Sequence, residues 1–242
     1  MTPRNYTPPE AILAPHGADV PPVGKGISTD AAEAVESVFT RFLGNGVVAA
    51  VWPDPTTPDL LPEEVAAIHR ANTKRRDEFG RGRAAARKAL SRLGVPPCPI
   101  LVGPHREPLW PSGIVGSITH CDGLAAAVAA PAHLLAGLGI DAEPEKGLPP
   151  DIRSLVLSEE EFRTDPVEEM SVFCAKESIH KAVFPLSGVW MDFLDVVVHM
   201  DRDGRFTAAP AAGRGPLPRE VTLLHGRTTR TCGFILAGCR VP

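Results

Sequence analysis

The sequence lacks the features that mark several large classes of protein. Its five cysteines include no CxxC pair and are odd in number, so neither a zinc site nor a complete disulfide framework is indicated. The apolar runs are interrupted and far too short to cross a bilayer. The first residues carry no basic patch followed by an apolar stretch. We therefore expect a soluble cytoplasmic protein without a signal peptide or a membrane span.

The chain also lacks an excess of positive charge. Its 242 residues include 25 Lys and Arg against 29 Asp and Glu, which gives a formal net charge of −4. This balance argues against general nucleic-acid binding, although it is compatible with a local basic patch. Hydrophobic residues make up 43% of the sequence, enough to fill the core of one large domain or of two smaller lobes.

Proline and glycine divide the chain into segments. Residues 1–27 form a Pro/Gly-rich leader for which we predict no regular structure. A helix that starts at Asp30 is followed by a strand over residues 47–52. Pro62 opens a long predicted helix that extends through Leu93.

Short β segments follow residue 99, and they change the predicted class from helical to α+β. The residues 113–119 and 124–130 predict a hairpin, and residues 134–141 predict a further buried strand. A capping box at residues 158–161 predicts the start of a second helical region. Further strands are predicted near the end of the sequence, at residues 195–200, 205–208, 220–225 and 231–239.

A weak internal repeat links the two halves of the chain. Leu-Pro-Glu-Glu at residues 61–64 precedes one predicted helix, and Leu-Ser-Glu-Glu at residues 157–160 precedes the other. We therefore consider an N-terminal lobe of residues 28–132 and a C-terminal lobe of residues 133–242. A ligand between two such lobes is a common arrangement.

Asp141 and Glu143 end an apolar run and are spaced so that both point to one face of a strand. Magnesium prefers oxygen ligands and completes its shell with water and phosphate, so few protein carboxylates suffice. The alternative interpretation is a pair of solvated carboxylates in a loop at the end of a strand.

Glu177 and Lys181 lie one helical turn apart. Such a pair is often a surface salt bridge, but the apolar residues around it leave little of this helix for water. A half-buried Glu beside a Lys can serve as a base and a phosphate clamp.

Seven cations fall within residues 74–88 of an otherwise acidic chain. They indicate either a solvated helix face or recognition of an anion, since guanidinium groups match phosphate oxygens. His120, which follows a predicted strand, is either a further donor or a structural histidine.

Ordered motifs in residues 60–195 resemble the 4′-phosphopantetheinyl transferases of the surfactin-synthetase and enterobactin type, and their actinobacterial members in particular. The motifs are RRDEFGRGRAAARKAL, GPHREPLWPSGIVGSITH, GSITHCDG, GIDAEP and FCAKESIHKAVFPL. The resemblance implies two similar α/β lobes in a pseudo-twofold arrangement, with the active site in the cleft between them. It also implies Mg²⁺-dependent transfer of 4′-phosphopantetheine from coenzyme A to a serine of an apo carrier protein, which leaves adenosine 3′,5′-bisphosphate.

The resemblance assigns roles to individual residues. Asp141, the carbonyl of Ala142, Glu143 and Glu177 match the metal site. Glu177 also matches the base for the serine hydroxyl, and Lys181 matches the lysine that contacts the pyrophosphate. We expect Lys176, on a different side of the helix from Lys181, to be a structural or secondary contact. The remaining residues assigned to coenzyme A are Arg75, Arg83, His105, Arg106, Thr119, His120 and Trp190.

The sequence departs from the family's pattern at two positions on the adenosine side. Many relatives have lysine-glycine where this chain has Val102, and a glycine where it has Arg106. His180 stands where an aromatic often precedes the lysine. Trp190 is either a wall of the pantetheine arm or a core tryptophan.

The partners implied are coenzyme A and apo acyl or peptidyl carrier proteins, with no nucleic acid and no membrane. A duplicated lobe within one chain would make a monomer sufficient. Two other functions remain open from the residues: a magnesium-dependent hydrolase of a pyrophosphate in coenzyme A-like substrates, and a non-catalytic coenzyme A-binding module.

Overall fold

The computed structural model describes residues 26–56 and 58–242, so the prediction for residues 1–25 of the leader lies outside the described residues. The helices of the described part are α1 (Thr29–Leu43), α2 (Pro62–Ala67), α3 (Thr73–Arg92), α4 (Arg153–Val156), α5 (Pro166–Ser187) and α6 (Glu220–Leu223). In the same residues, no helix is both long and apolar enough to span a membrane.

The strands form antiparallel sheets, and the expected mixture of helices and strands is confirmed. One sheet has the order β1-β5-β4, the second has the order β6-β10-β9-β8-β7, and β2 pairs with β3. The strands are β1 (Val48–Val51), β2 (Leu101–Val102), β3 (Pro108–Leu109), β4 (Ile114–Cys121), β5 (Leu124–Pro131), β6 (Gly137–Pro144), β7 (Val196–Met200), β8 (Arg205–Pro210), β9 (His225–Thr231) and β10 (Phe234–Val241). The predicted hairpin of residues 113–130 is β4 and β5.

Side-chain hydroxyls connect the two larger sheets where β4 lies beside β6. Oγ of Ser117 accepts a hydrogen bond from the backbone N–H of Ile140 at 3.1 Å. Oγ1 of Thr119 accepts one from the N–H of Ala142, also at 3.1 Å. Because buried backbone donors must be satisfied, these hydroxyls replace carbonyl partners at the junction and fix the position of β6 relative to β4.

The structure divides the helix predicted for residues 62–93 into α2 and α3. The N–H of Ile68 donates to the carbonyl of Val65 at 3.2 Å, which closes the last turn of α2. The side chain of Asn72 then accepts from the N–H of Arg75 at 2.9 Å. Asn is among the preferred N-cap residues, so a new helix begins here.

Two predictions for the C-terminal half are corrected. The capping box at Ser158 opens only a 3₁₀ turn, Glu159–Glu161, and α5 begins later, where the side chain of Asp165 accepts from the N–H of Val167 at 2.9 Å. The strand predicted for residues 220–225 is wrong, because residues 220–223 form α6 and β9 begins at His225.

Turn hydrogen bonds at residues 218–222 form the start of α6. The N–H of Val221 donates to the carbonyl of Pro218 at 3.1 Å, and the N–H of Thr222 donates to that of Arg219 at the same distance. These turn hydrogen bonds place Val221, which is fully buried, in the core beneath the second sheet.

A buried carboxylate ties α2 to the long helix of the N-terminal half. Glu64 is fully buried. It accepts hydrogen bonds from the N–H of Leu61 at 3.1 Å and of Ile100 at 3.0 Å. Its third partner is Nη1 of Arg87 on α3, at 2.6 Å. One side chain therefore joins the start of α2, the middle of α3 and the chain beyond it.

Glu161 makes the same set of contacts in the C-terminal half. It accepts from the N–H of Ser158 at 2.9 Å and of Val198 at 2.8 Å. Nζ of Lys176 on α5 lies 2.6 Å from it, and both side chains are almost fully buried. The structural role expected for Lys176 is confirmed. In this comparison Ser158 corresponds to Leu61, so the register differs by one residue from the sequence match of Leu61 with Leu157.

Glycines in β6 allow α5 to lie directly against the strand. A Cβ at Gly139 would collide with the backbone carbonyl of Ser178, and one at Gly137 would come within 2.5 Å of the carbonyl oxygen of Ala182. Real Cβ atoms do not approach backbone oxygens this closely. The two glycines therefore set the distance between β6 and α5.

We predict that Gly139→Ala destabilises the protein by about 3 kcal/mol or more, because the obstacle is helix backbone and has no rotamer to change. Gly238→Ala in the neighbouring strand β10 is the matched control. Its Cβ would make ordinary contacts of 3.5 Å with Leu43 and 3.6 Å with Ile140, so we expect a change of at most about 1 kcal/mol. Urea denaturation measures both, and equal effects would contradict the proposed constraint.

Candidate active site

The first wall of the candidate site is the end of β6, where Asp141 and Glu143 share one face as predicted. Asp141 is only 4% exposed. Its Oδ1 accepts hydrogen bonds from Oγ1 of Thr119 at 3.2 Å and from Nζ of Lys181 at 2.7 Å. Its Oδ2 is buried and accepts no hydrogen bond from the described residues. A buried carboxylate oxygen in this state has unused capacity for a cation.

Burial and charged neighbours both change the pKa of Glu143. Burial raises its pKa to about 8, and the negative charges of Asp141 and Glu177 act in the same direction, whereas Lys181 opposes them. Because like charges in a partly buried place disfavour ionisation, a proton or another cation relieves the site. Asp141, Glu177 and Lys181 thus all act electrostatically on Glu143.

The second wall is α5, which carries Glu177 and Lys181. Glu177 is 7% exposed, and its Oε1 is buried. Lys181 keeps about a third of its side chain accessible while its Nζ contacts Asp141. The close approach of α5 to β6 thus brings the helix pair and the strand pair into one group, as the sequence predicted.

The donor set fits magnesium in its chemistry. All the candidate donors are oxygens, and one carboxylate oxygen of Asp141 is buried without a hydrogen bond. Burial, together with the charges of Asp141 and Glu177, raises the pKa of Glu143. As the side chains stand, no three His, Cys, Asp or Glu of residues 26–56 and 58–242 are grouped closely enough to hold a metal ion. Lys181 supplies the positive charge instead, through its ion pair with Asp141.

Arg75 and His120 meet across the interface of α3 with β4. Nη1 of Arg75 lies 3.2 Å from Nε2 of His120, and 3.7 Å from a carboxylate oxygen of Glu78. Both were predicted to grip a phosphate from positions 45 residues apart. The fold brings them together near the end of the strand that also carries Thr119.

Arg83 makes internal contacts. Its Nε donates to the carbonyl of Ile100 at 2.7 Å, its Nη2 donates to that of Leu101 at 3.4 Å, and its guanidinium lies 4.2 Å from the ring centre of Phe79. Burial lowers its pKa to about 10. Two of its three nitrogens therefore hold the β2 segment, and its predicted contact with a ligand stays a prediction.

His105 and Arg106 lie in the tight turn between β2 and β3. Arg106 has a φ of 73°, a left-handed conformation that glycine adopts without strain. The ring of His105 packs edge-on against Phe184 of α5, with 5.2 Å between the centroids.

His180, Phe184 and Trp190 form an aromatic cluster next to Lys181, which the sequence did not predict as a group. The ring of His180 lies 4.4 Å from Trp190 and 5.3 Å from Phe184. Burial, and then the charge of Lys181, lower the pKa of His180 to about 4, so the imidazole is neutral at pH 7. Trp190 is 36% exposed and is therefore not a core tryptophan.

The sequence also did not predict the contacts that Thr119 makes with β6. Its hydroxyl donates to Asp141 and accepts from the N–H of Ala142, so it holds the carboxylate that ends β6. The alternation of β4 could place Thr119 on a buried face, but no local signal identifies its partner on another strand.

Two protein-family models match the sequence that forms this site. A family model described as the 4′-phosphopantetheinyl transferase N-terminal domain matches residues 63–130. A second, described as the 4′-phosphopantetheinyl transferase superfamily, matches residues 137–232. The chain belongs to the 4′-phosphopantetheinyl transferase family. It is a transferase, and the resemblance inferred from the motifs is confirmed.

Individual 4′-phosphopantetheinyl transferases are similar over much of the chain. PptT of Mycobacterium tuberculosis is 39% identical over 201 residues, which cover 78% of this chain and 88% of that protein. Svp of Streptomyces mobaraensis is 45% identical over 166 residues, or 64% of this chain and 68% of that protein. Enterobactin synthase component D of Salmonella typhi is 32% identical over 122 residues, about half of each chain.

The raised pKa of Glu143 predicts a pH dependence of stability. The folded protein holds this proton up to about pH 8, whereas the unfolded chain releases it near pH 4.5. The folded state therefore binds more protons between these values, and the free energy of unfolding falls as pH rises through the window. Glu143→Gln stays neutral, so relative to the wild type it gains up to about 1.4 kcal/mol per pH unit.

Urea denaturation between pH 5 and pH 8 in the presence of a chelator measures this difference. Subtracting the wild-type curve removes contributions of other groups, including His180, whose lowered pKa acts in the opposite direction below pH 6.5. Glu145→Gln, which changes an exposed carboxylate two residues away, is the control. A flat difference for Glu143→Gln would show that the four charges do not interact in this way.

Proposed function

We propose that this transferase moves 4′-phosphopantetheine from coenzyme A to a serine of an apo acyl or peptidyl carrier protein, in a magnesium-dependent reaction. The observation that carries the proposal is the convergence of Asp141, Glu143, Glu177 and Lys181 at one place between β6 and α5. Phosphoryl transfer depends mainly on positioning and charge neutralisation, and this group supplies carboxylates for a cation, a base and an ammonium.

The reaction breaks one P–O bond of the coenzyme A pyrophosphate and forms another. The serine oxygen of the carrier attacks the phosphorus that bears pantetheine, and its proton passes to Glu177. The bond to adenosine 3′,5′-bisphosphate breaks, and Lys181 offsets the charge that develops on the leaving phosphate. Lys181 is partly accessible, so its Nζ can exchange Asp141 for a phosphate oxygen.

Asp141, Glu143, Glu177 and the carbonyl of Ala142 would hold magnesium. The ion would neutralise charge on the pyrophosphate and so complement Lys181. The hydrogen bond from Thr119 keeps Asp141 in place as the site changes its occupant. Burial and the charges of Asp141 and Glu177 raise the pKa of Glu143, and a divalent cation beside it would offset them and favour its ionisation.

The remaining residues would bind coenzyme A. We assign the phosphate and adenosine side to residues of α3, β4 and the β2–β3 turn: Arg75, Arg83, His105, Arg106, Thr119 and His120. Trp190 would line the pantetheine arm, and its exposed edge beside the neutral His180 provides an apolar surface for that arm.

We further propose that residues 28–132 and 133–242 are two similar lobes related by a pseudo-twofold axis, with the active site between them. The matching contacts of Glu64 and Glu161 support this division, because a helix start, a cation on the long helix and a later backbone N–H recur in both halves. A single chain would then hold the complete site and act as a monomer.

The first test is an assay of transfer. The protein is incubated with coenzyme A, magnesium and each of several apo carrier proteins of the fatty-acid, polyketide and nonribosomal-peptide types, and the carriers are weighed by mass spectrometry. A gain equal to phosphopantetheine supports the proposal and shows which carriers are served. No gain with any carrier overturns it, and release of phosphopantetheine without a carrier would instead indicate a hydrolase.

We predict that Glu177→Gln lowers the rate of transfer by at least about 100-fold while coenzyme A still binds, because the amide cannot accept the serine proton. Glu168→Gln, which neutralises an exposed carboxylate on the same helix, is the matched control and should retain activity. Calorimetry measures binding, and mass spectrometry measures transfer. Substantial transfer by Glu177→Gln would exclude Glu177 as the base.

A further inference from the structure

Arg81 on α3 is a buried cation without an ion pair in the described residues. It is only 7% exposed. Nε and Nη2 are buried and donate no hydrogen bond within the described residues. No carboxylate of residues 26–56 or 58–242 forms an ion pair with it.

The other cations further along α3 all have partners in the protein. Arg87 contacts Glu64, and Lys88 and Arg92 contact Glu36. Arg83, two residues away, donates to backbone carbonyls.

Asp54, a carboxylate that interacts electrostatically with Arg81, already accepts a hydrogen bond from another residue. Asp54 feels the positive charge of Arg81, which contributes to lowering its pKa, but the larger contribution is its hydrogen bond from the N–H of Thr56 at 2.7 Å. Asp54 is fully exposed to solvent. It does not compensate the buried guanidinium.

The two unused nitrogens form one edge of the guanidinium. Nε–H and one N–H of Nη2 point in parallel, which is the geometry that receives two oxygens of a phosphate or carboxylate. A buried guanidinium without a partner is unfavourable for folding, since it loses hydration and gains nothing in return. This pair of parallel donors, Nε and Nη2, is called the fork of Arg81. It is suited to a ligand that binds after folding.

The position of Arg81 relates it to the candidate active site. The thiol of Cys121, at the end of β4, is under the influence of Arg81 and of Asp141 and Glu143 together. The preceding residue, His120, contacts Arg75 on the same helix as Arg81. Arg81 therefore lies on the side of the carboxylate group where α3 and the end of β4 meet.

We propose that Arg81 is an anion-binding residue that holds two oxygens of a phosphate group through Nε and Nη2. Seven cations fall within residues 74–88, and this local excess of positive charge favours a multiply charged phosphate over a single carboxylate. The assignment of this phosphate to coenzyme A rests on the proposed function, whereas the anion site rests on Arg81 alone. Arg83 spends Nε and Nη2 on carbonyls, whereas the same two nitrogens of Arg81 donate no hydrogen bond within the described residues.

The test uses the whole chain, in phosphate-free buffer with a chelator. The probes are inorganic pyrophosphate, coenzyme A and 3′-dephospho-coenzyme A, and calorimetry gives each affinity. Arg81→Met removes the charge at similar length, and Arg81→Lys keeps the charge without the fork. Lys74→Gln is the control, because it removes a positive charge from the same helix at a side chain that is 64% exposed.

We expect Arg81→Met to weaken the binding of coenzyme A and pyrophosphate by about 10- to 100-fold, the effect of losing hydrogen bonds to a charged group. Arg81→Lys should lie between Arg81→Met and the wild type, and Lys74→Gln should match the wild type. Equal losses for coenzyme A and its 3′-dephospho form assign the fork to the pyrophosphate. A loss confined to coenzyme A assigns it to the 3′-phosphate.

Thermal unfolding separates this role from a structural one. Without an anion, Arg81→Met should raise Tm by about 2–4 °C, because it removes an uncompensated buried charge. Pyrophosphate should raise Tm of the wild type more than that of the variant. Wild-type affinity of Arg81→Met for pyrophosphate and coenzyme A, or a lowered Tm with an unchanged response to pyrophosphate, would overturn the proposal. Because pyrophosphate binding needs no carrier protein, failure of transfer would leave this test intact.

Discussion

The close approach of α5 to β6 is the constraint on which the candidate site depends. Gly137 and Gly139 leave room for the helix backbone against the strand, where any side chain would meet a carbonyl oxygen. At that distance the acidic end of β6 and the Glu177–Lys181 face of α5 share one volume. A helix held farther away would keep both elements intact and still separate the carboxylates from the ammonium.

Bringing these groups together places several carboxylates close to one another in a buried place, and the protein supplies hydrogen bonds and positive charge for only part of them. Lys181 and Thr119 bind one oxygen of Asp141, while its other oxygen stays without a hydrogen bond. Glu143 is left to hold a proton at neutral pH. The β6 side of the site therefore keeps carboxylate oxygens available to a cation, and Nε and Nη2 of Arg81 on the α3 side are donors without an acceptor in the described residues. Both are arrangements that bound ligands relieve, since buried charges need compensation.

The parts of the candidate site and of the fold that depend on residues close together in the sequence could be predicted from it. The i, i+2 spacing of Asp141 and Glu143 and the i, i+4 spacing of Glu177 and Lys181 follow from the periods of strand and helix, and both survive in the structure. The strand predicted for residues 220–225 failed because a buried Val221 fits a helical turn as well as a strand. The break at Asn72 was visible as a cap residue, but helix propensity on both sides concealed it.

The sequence by itself determined the family motifs, the periodicity of the elements and the identity of the groups that do chemistry. Only the tertiary structure decided which of these groups are paired. Arg83 and Arg81 are two residues apart on one helix, yet one donates to carbonyls of another segment and the other keeps its fork unused. Hydrogen bonding and desolvation depend on atoms brought from distant positions in the chain, and no local pattern encodes them.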